Sequence, residues 1–173
     1  MVLWETPGID SKISRARRFN VLVDVLGNRM REKIREELGA TYSPQASSQP
    51  SDAYPAFGYL LGASIAKPED LDTINTITLE LGSTLAKEGA TEDELERALN
   101  PVLSQVEQVE RDNGYWLNTV MSRSQSEPHR VHWAITRNDD YKAITLKEIN
   151  QLAATYLKAE RAVQIKLLPE VSE

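Results

Sequence analysis

The chain has no cysteine and only two histidines among its 173 residues. Without cysteine there is no disulfide, no thiolate metal site and no cysteine nucleophile. The redox compartment stays open, because such a chain suits cytoplasm and periplasm equally. No apolar run approaches the ~20 residues of a membrane span. Residues 1–9 (MVLWETPGI) lack a basic start and an apolar stretch, so they do not read as a signal peptide. Positive charge is also short: 20 Lys and Arg stand against 26 Asp and Glu, a net charge of -6. That balance argues against a nucleic-acid partner, which usually needs a basic face. The one basic cluster, Lys12, Arg15, Arg17 and Arg18, is expected to be a solvated helix face.

What is present is the composition of an ordinary soluble globular protein, with 40% hydrophobic residues. The length fits a single domain over 1–173, able to bury roughly two-thirds of its unfolded surface. Val2–Trp4 reads as a strand ended by Thr6-Pro7-Gly8. A helix is expected from about Ser11 to Leu38, because Leu22, Leu26, Met30, Ile34 and Leu38 recur every four residues. Gly39 is placed to stop it. Two antiparallel strands follow, within Thr41–Gln49 and Tyr54–Ala66, joined by a turn-forming Ser-Gln-Pro-Ser-Asp. Pro68 suits the first turn of a helix carrying Leu71, Ile74, Ile77, Leu81 and Leu85. Thr91 with Glu94 makes a capping box. The helix it opens is expected to kink or break at Asn100-Pro101 and to continue through Val106 and Trp116 to about Met121. A short helix over Val131–Arg137, a second capping box at Thr145 and Glu148, a last helix to about Lys158 and a strand over Ala162–Leu168 complete the chain. This order predicts an α+β fold, an antiparallel sheet packed against several helices.

Candidates for chemistry are few. His129 and His132 lie three apart in PHRVHW, next to a helix-breaking Pro128 and without an evident third ligand, so they predict surface or structural histidines and no metal site. Neither His-x-x-Glu-His nor Gly-x-Ser-x-Gly occurs. Gly58-x-x-x-Gly62 reads as close backbone packing or an open strand edge. The segment MREKIREELGATYSP is more specific. Arg35 and Tyr42 flank a sharp helix-to-strand turn that could bring a guanidinium and a phenol together. Two such donors suit a carbonyl that develops negative charge. The plainer alternative pairs Arg35 with a glutamate of its own helix and leaves Tyr42 packed with its hydroxyl at the rim.

REKIREELGATYSP resembles the Arg–Tyr segment of the insulinase/pitrilysin (inverzincin) family, which reads roughly Arg-x-x-Leu-Gly-x-x-Tyr-Ser. Arg35, Leu38, Gly39, Tyr42 and Ser43 fall on it. VLWETPG, KEGATEDELERALN and RDNGYWL are similar to further family segments in the same order, and the likeness is to the bacterial zinc-protease branch. The resemblance implies a metallohydrolase-like domain of the insulinase and mitochondrial processing peptidase type, the C-terminal zinc-free part of a metalloendopeptidase. It implies zinc in an N-terminal catalytic half, and a peptide or unfolded protein as substrate. Tyr42 would donate to the scissile carbonyl or its oxyanion, and Arg35 would hold a neighbouring carbonyl or orient Tyr42. The exposed strand FGYLLGASIA could pair with extended substrate. Family domains begin before the VLWETPG strand, so the domain is expected to lack its first strand and helix. The chain alone is expected to be inactive, and the bacterial branch suggests a periplasmic parent. The second reading is a non-catalytic assembly module of the same fold.

Overall fold

The computed structural model describes residues 1–9, 12–39 and 43–168. The alternation of Val2, Trp4 and Thr6, all buried, with half-buried or exposed neighbours makes β1, Val2–Thr6. The long apolar stripe folds as α1, Ile13–Leu38. β2, Gln45–Pro50, and β3, Gly58–Ala63, form the expected antiparallel hairpin. Then come α2, Leu71–Glu88, and α3, Glu92–Val109. Four short helices follow: α4, Asn113–Tyr115; α5, His129–Ile135; α6, Arg137–Lys142; and α7, Leu146–Tyr156. The last strand is β4, Ala162–Gln164. All pairings are antiparallel and the strand order is β2-β3-β1-β4. This is the predicted mixed architecture, a sheet covered by helices.

Sheet and helices meet through one row of side chains. Trp4 and Leu60 are fully buried and face Phe19, Leu22, Leu26 and Met30 of α1 and Leu85 of α2. Space for the Trp4 ring comes from Gly82, where an added Cβ would lie 2.6 Å from Trp4 Cζ2. At Gly62 a Cβ would lie 2.7 Å from Thr78 Cγ2 and 3.2 Å from Met30 Sδ. Gly58 and Gly62 are therefore close-packing positions, one of the two readings of their spacing.

Several expectations need correction. The strand within FGYLLGASIA, β3 over Gly58–Ala63, is not an edge, since it pairs with β2 on one side and β1 on the other. Its main-chain groups are already used, so it cannot add a substrate strand. Pro101 neither ends nor divides its helix, because α3 runs unbroken from Glu92 to Val109. Pro101 is exposed, so water can satisfy the carbonyl that its missing N–H leaves open. The helix does not continue to Met121. It stops after Val109, and Asp112 restarts the chain by accepting the Gly114 N–H at 2.8 Å. Trp116–Val120 then takes π-helical form. β4 is shorter than predicted because β1, its partner, begins at Val2 opposite Gln164.

The basic cluster is also not the solvated face that its composition suggests. Arg17 is 5% exposed and reaches Asp140 at 2.8 Å, and Arg18 holds Asp140 and Glu148 at 2.9 Å each. Arg15 donates to the Gly8 carbonyl at 3.0 Å. The Arg17 and Arg18 guanidinium groups lie where α1 meets α6 and α7, so packing turns that part of the charged face into an interhelix seam.

Both capping boxes form as read from the sequence. The first is reinforced by Arg29, whose Nε and Nη2 donate to the two Glu94 oxygens at 2.6 and 2.9 Å. This fork, with the Thr91 N–H, holds the Glu94 carboxyl down at about 2 against the drag of burial. A folded-state pKa below the unfolded value gives stability that is complete above about pH 4.5 and lost as pH falls towards 2. Urea unfolding should therefore show roughly 1–3 kcal/mol more acid destabilisation in the unmodified chain than in Glu94→Gln. Equal losses between pH 6 and pH 2.5 would remove Glu94 from the acid response.

Candidate functional site

The C-terminal end of α1 is shaped by Ile34 and Gly39. Ile34 is fully buried in the hydrophobic core, which fixes the inward side of the last turns. Gly39 has φ 81°, a conformation that L side chains rarely adopt, and its N–H donates to the Arg35 carbonyl at 3.1 Å. The neighbours of Ile34 on the opposite side of the helix are thereby turned outward. The Arg35 side chain is exposed and has no hydrogen-bond or ion-pair partner among the described residues. The expected pairing with a glutamate of its own helix does not form: Glu37 is taken by Lys33 at 2.9 Å, and Glu32 by Arg97 at 3.1 Å. Arg35 stands instead in the last turn, where a cation suits the negative end of the helix. Tyr42 lies outside the described residues.

Ser43 and Pro44 lead into β2. Gly27 of α1 packs 3.4 Å (as an ideal Cβ) from Ala46 Cβ, and Met30 meets Gly62, the partner of Ala46. Beyond Met30 the helix therefore projects past the end of the sheet where β2 begins and β3 ends. At that same end lies a cleft of about 530 Å³, lined by Ser43, Gln45, Ile65, Asn75 and Leu167 among others. Ile65 is 93% and Leu167 76% exposed, which gives the cleft apolar flanks. Asn75 is buried on α2 and its Oδ1 accepts from the Met1 nitrogen at 2.9 Å, while its Nδ2 has no partner among the described residues. The sequence reading missed this cleft. Its one local signal was a polar residue, Asn75, beside Ile74 on the inward face of α2.

His129 and His132 both lie exposed on α5, and His129 packs against Trp133 with ring centres 4.3 Å apart. Among the described residues no three His, Asp or Glu side chains come together as a metal site.

The fold has close counterparts. An inactive peptidase domain from Bordetella parapertussis superposes with a TM-score of 0.75 at 15% identity, over 98% of this chain and 91% of that one. The periplasmic protease PqqL from Escherichia coli gives 0.68 at 20% identity, over 90% of this chain and 17% of PqqL. A chain of Complex III2 from Candida albicans, solved with Inz-5 bound, gives 0.68 at 14% identity, over 90% of this chain and 39% of that one. The present chain thus spans nearly all of the first counterpart, but under a fifth of the second and about two-fifths of the third. At these identities the likeness shows the fold alone. No curated protein sequence matches. The family described as the peptidase M16 inactive domain matches residues 1–102, more than half of the sequence, and the chain belongs to that family.

Proposed function

We propose that residues 1–173 form one domain, the C-terminal, non-zinc-binding part of a zinc metalloendopeptidase. In this reading the domain walls the peptide chamber opposite an N-terminal half that holds the zinc. Tyr42 donates to the scissile carbonyl or its oxyanion, and Arg35 holds a neighbouring carbonyl or orients Tyr42. The observation that carries the reading is Arg35 itself. It is an exposed guanidinium on a helix rich in glutamate, yet it is bound to none of them, so its donors are available to a ligand. The cleft beside Ser43 supports it, since apolar flanks suit an extended peptide. The substrate is a peptide or an unfolded protein, and the parent is periplasmic. No described helix is long and apolar enough to cross a membrane.

Residues 1–173 alone should hydrolyse no peptide, with or without added zinc. The parent protein should be active, and a chelator should abolish its activity. Chelator-sensitive hydrolysis by the chain alone would refute the division of labour. The likeness to a chain of Complex III2 favours a second reading, a structural assembly module of the same fold. An intact parent that binds no zinc and cleaves nothing would support that alternative.

A further inference from the structure

A second cleft, of about 230 Å³, opens near the start of α1, between that helix, the π-helical segment and the α5–α6 pair. The distance from Arg17 to Arg35 along α1 is about 27 Å at 1.5 Å per residue, so this cleft is separate from the Arg35 turn. Its walls carry three guanidinium groups, Arg17, Arg130 and Arg137, and no carboxylate, in a chain whose net charge is -6. Three aromatic rings, Tyr115, Trp133 and Tyr141, complete the lining.

The three arginines are not equivalent. Arg17 is held from behind by Asp140 and by the Thr136 and Trp133 carbonyls. Arg130 is held by Glu127 and, at 3.1 Å, by Asp52. Arg137 has no carboxylate partner among the described residues. Its guanidinium lies 5.7 Å from the centre of the Tyr115 ring, a contact that fixes the group without neutralising it. Asn20 and Thr119 add hydrogen-bonding groups. An uncompensated, pre-positioned guanidinium among aromatic faces selects a carboxylate attached to a flat or apolar group. The small volume limits that group to about one amino-acid residue, below the ~300 Å³ of ordinary small-molecule sites.

We propose that this cleft is a carboxylate-binding site, in which Arg137 receives the carboxylate of an aromatic residue, from a free amino acid or a peptide C-terminus. The proposal does not rest on the peptidase reading, since binding is expected in residues 1–173 alone. The Trp133 indole N–H resonance reports on it. N-acetylphenylalanine should shift that resonance saturably, while its amide and inorganic phosphate should bind at least tenfold more weakly. A phenylalanine-terminated tetrapeptide that binds as well as N-acetylphenylalanine assigns the site to peptide ends; a much weaker one assigns it to free amino acids. Arg137→Gln should weaken binding about tenfold or more. Arg137→Lys, which keeps the charge but loses the planar fork, should recover part of it. Arg161→Gln removes a comparable guanidinium, over Tyr156, and should change nothing. Unchanged ligand-free tryptophan resonances establish that each variant is folded. Equal binding of the acid and its amide, equal binding of phosphate, or full affinity in folded Arg137→Gln would each overturn the proposal.

Discussion

In the full-length parent protein, Tyr42→Phe is expected to lower kcat by roughly 10²–10³, with KM changing little. That is the scale of losing one donor to a developing oxyanion in a site closed to bulk water. A phenyl ring keeps the packing of the side chain, so the loss reports on the hydroxyl alone. Zinc content should stay the same, because the metal belongs to the other half in this reading. Arg35→Lys tests the partner role. It preserves charge at the end of α1 but not the planar fork, so it should raise KM if Arg35 grips a substrate carbonyl. A Tyr42→Phe enzyme with near-unchanged kcat would refute the oxyanion role. It would leave intact the membership of the family, which rests on the match to residues 1–102.

The second large effect is on stability. Trp4→Ala should cost about 3–5 kcal/mol, read as a shift in the urea midpoint. Trp4 is fully buried at the centre of β1, against Leu60 and the residues of α1 and α2 that close over it. Alanine would leave a cavity that Gly82, tied into α2 directly over the ring, cannot fill by a side-chain movement. Trp4→Phe should cost clearly less. It keeps much of the ring, and it removes an indole N–H that has no partner among the described residues. A loss below ~1 kcal/mol for Trp4→Ala would mean that the helices do not depend on this ring for their seating on the sheet.

Much of the architecture was legible because its signals are local. The stripe from Leu22 to Ile34 defines α1, and the two Thr-to-Glu capping boxes each start a helix within four residues. Gly39 and Gly89 end helices because both take positive φ. The errors came where a local signal met a remote partner. FGYLLGASIA reads as a strand, but whether a strand is an edge depends on what pairs beside it, and β1 and β2 occupy both sides. The Arg17 and Arg18 cluster reads as a solvated face until α6 and α7 supply Asp140 and Glu148, more than a hundred residues away. Pro101 reads as a break, yet helix packing on either side and an exposed ring let α3 continue.

The candidate site divides in the same way. By itself the sequence determined the Arg35-to-Ser43 motif, the missing zinc motif, the α+β class and most element types. Each of these is carried by residue identity and spacing within a few turns of chain. Only the tertiary structure decided that Arg35 is left without a glutamate, that Ser43 borders a cleft with Asn75 and Leu167, and that Arg137 faces aromatic rings without an ion-pair partner among the described residues. The physical reason is that availability is a property of surroundings. A charged side chain is free or spent according to which distant segments fold against it, and no window of sequence contains those segments together.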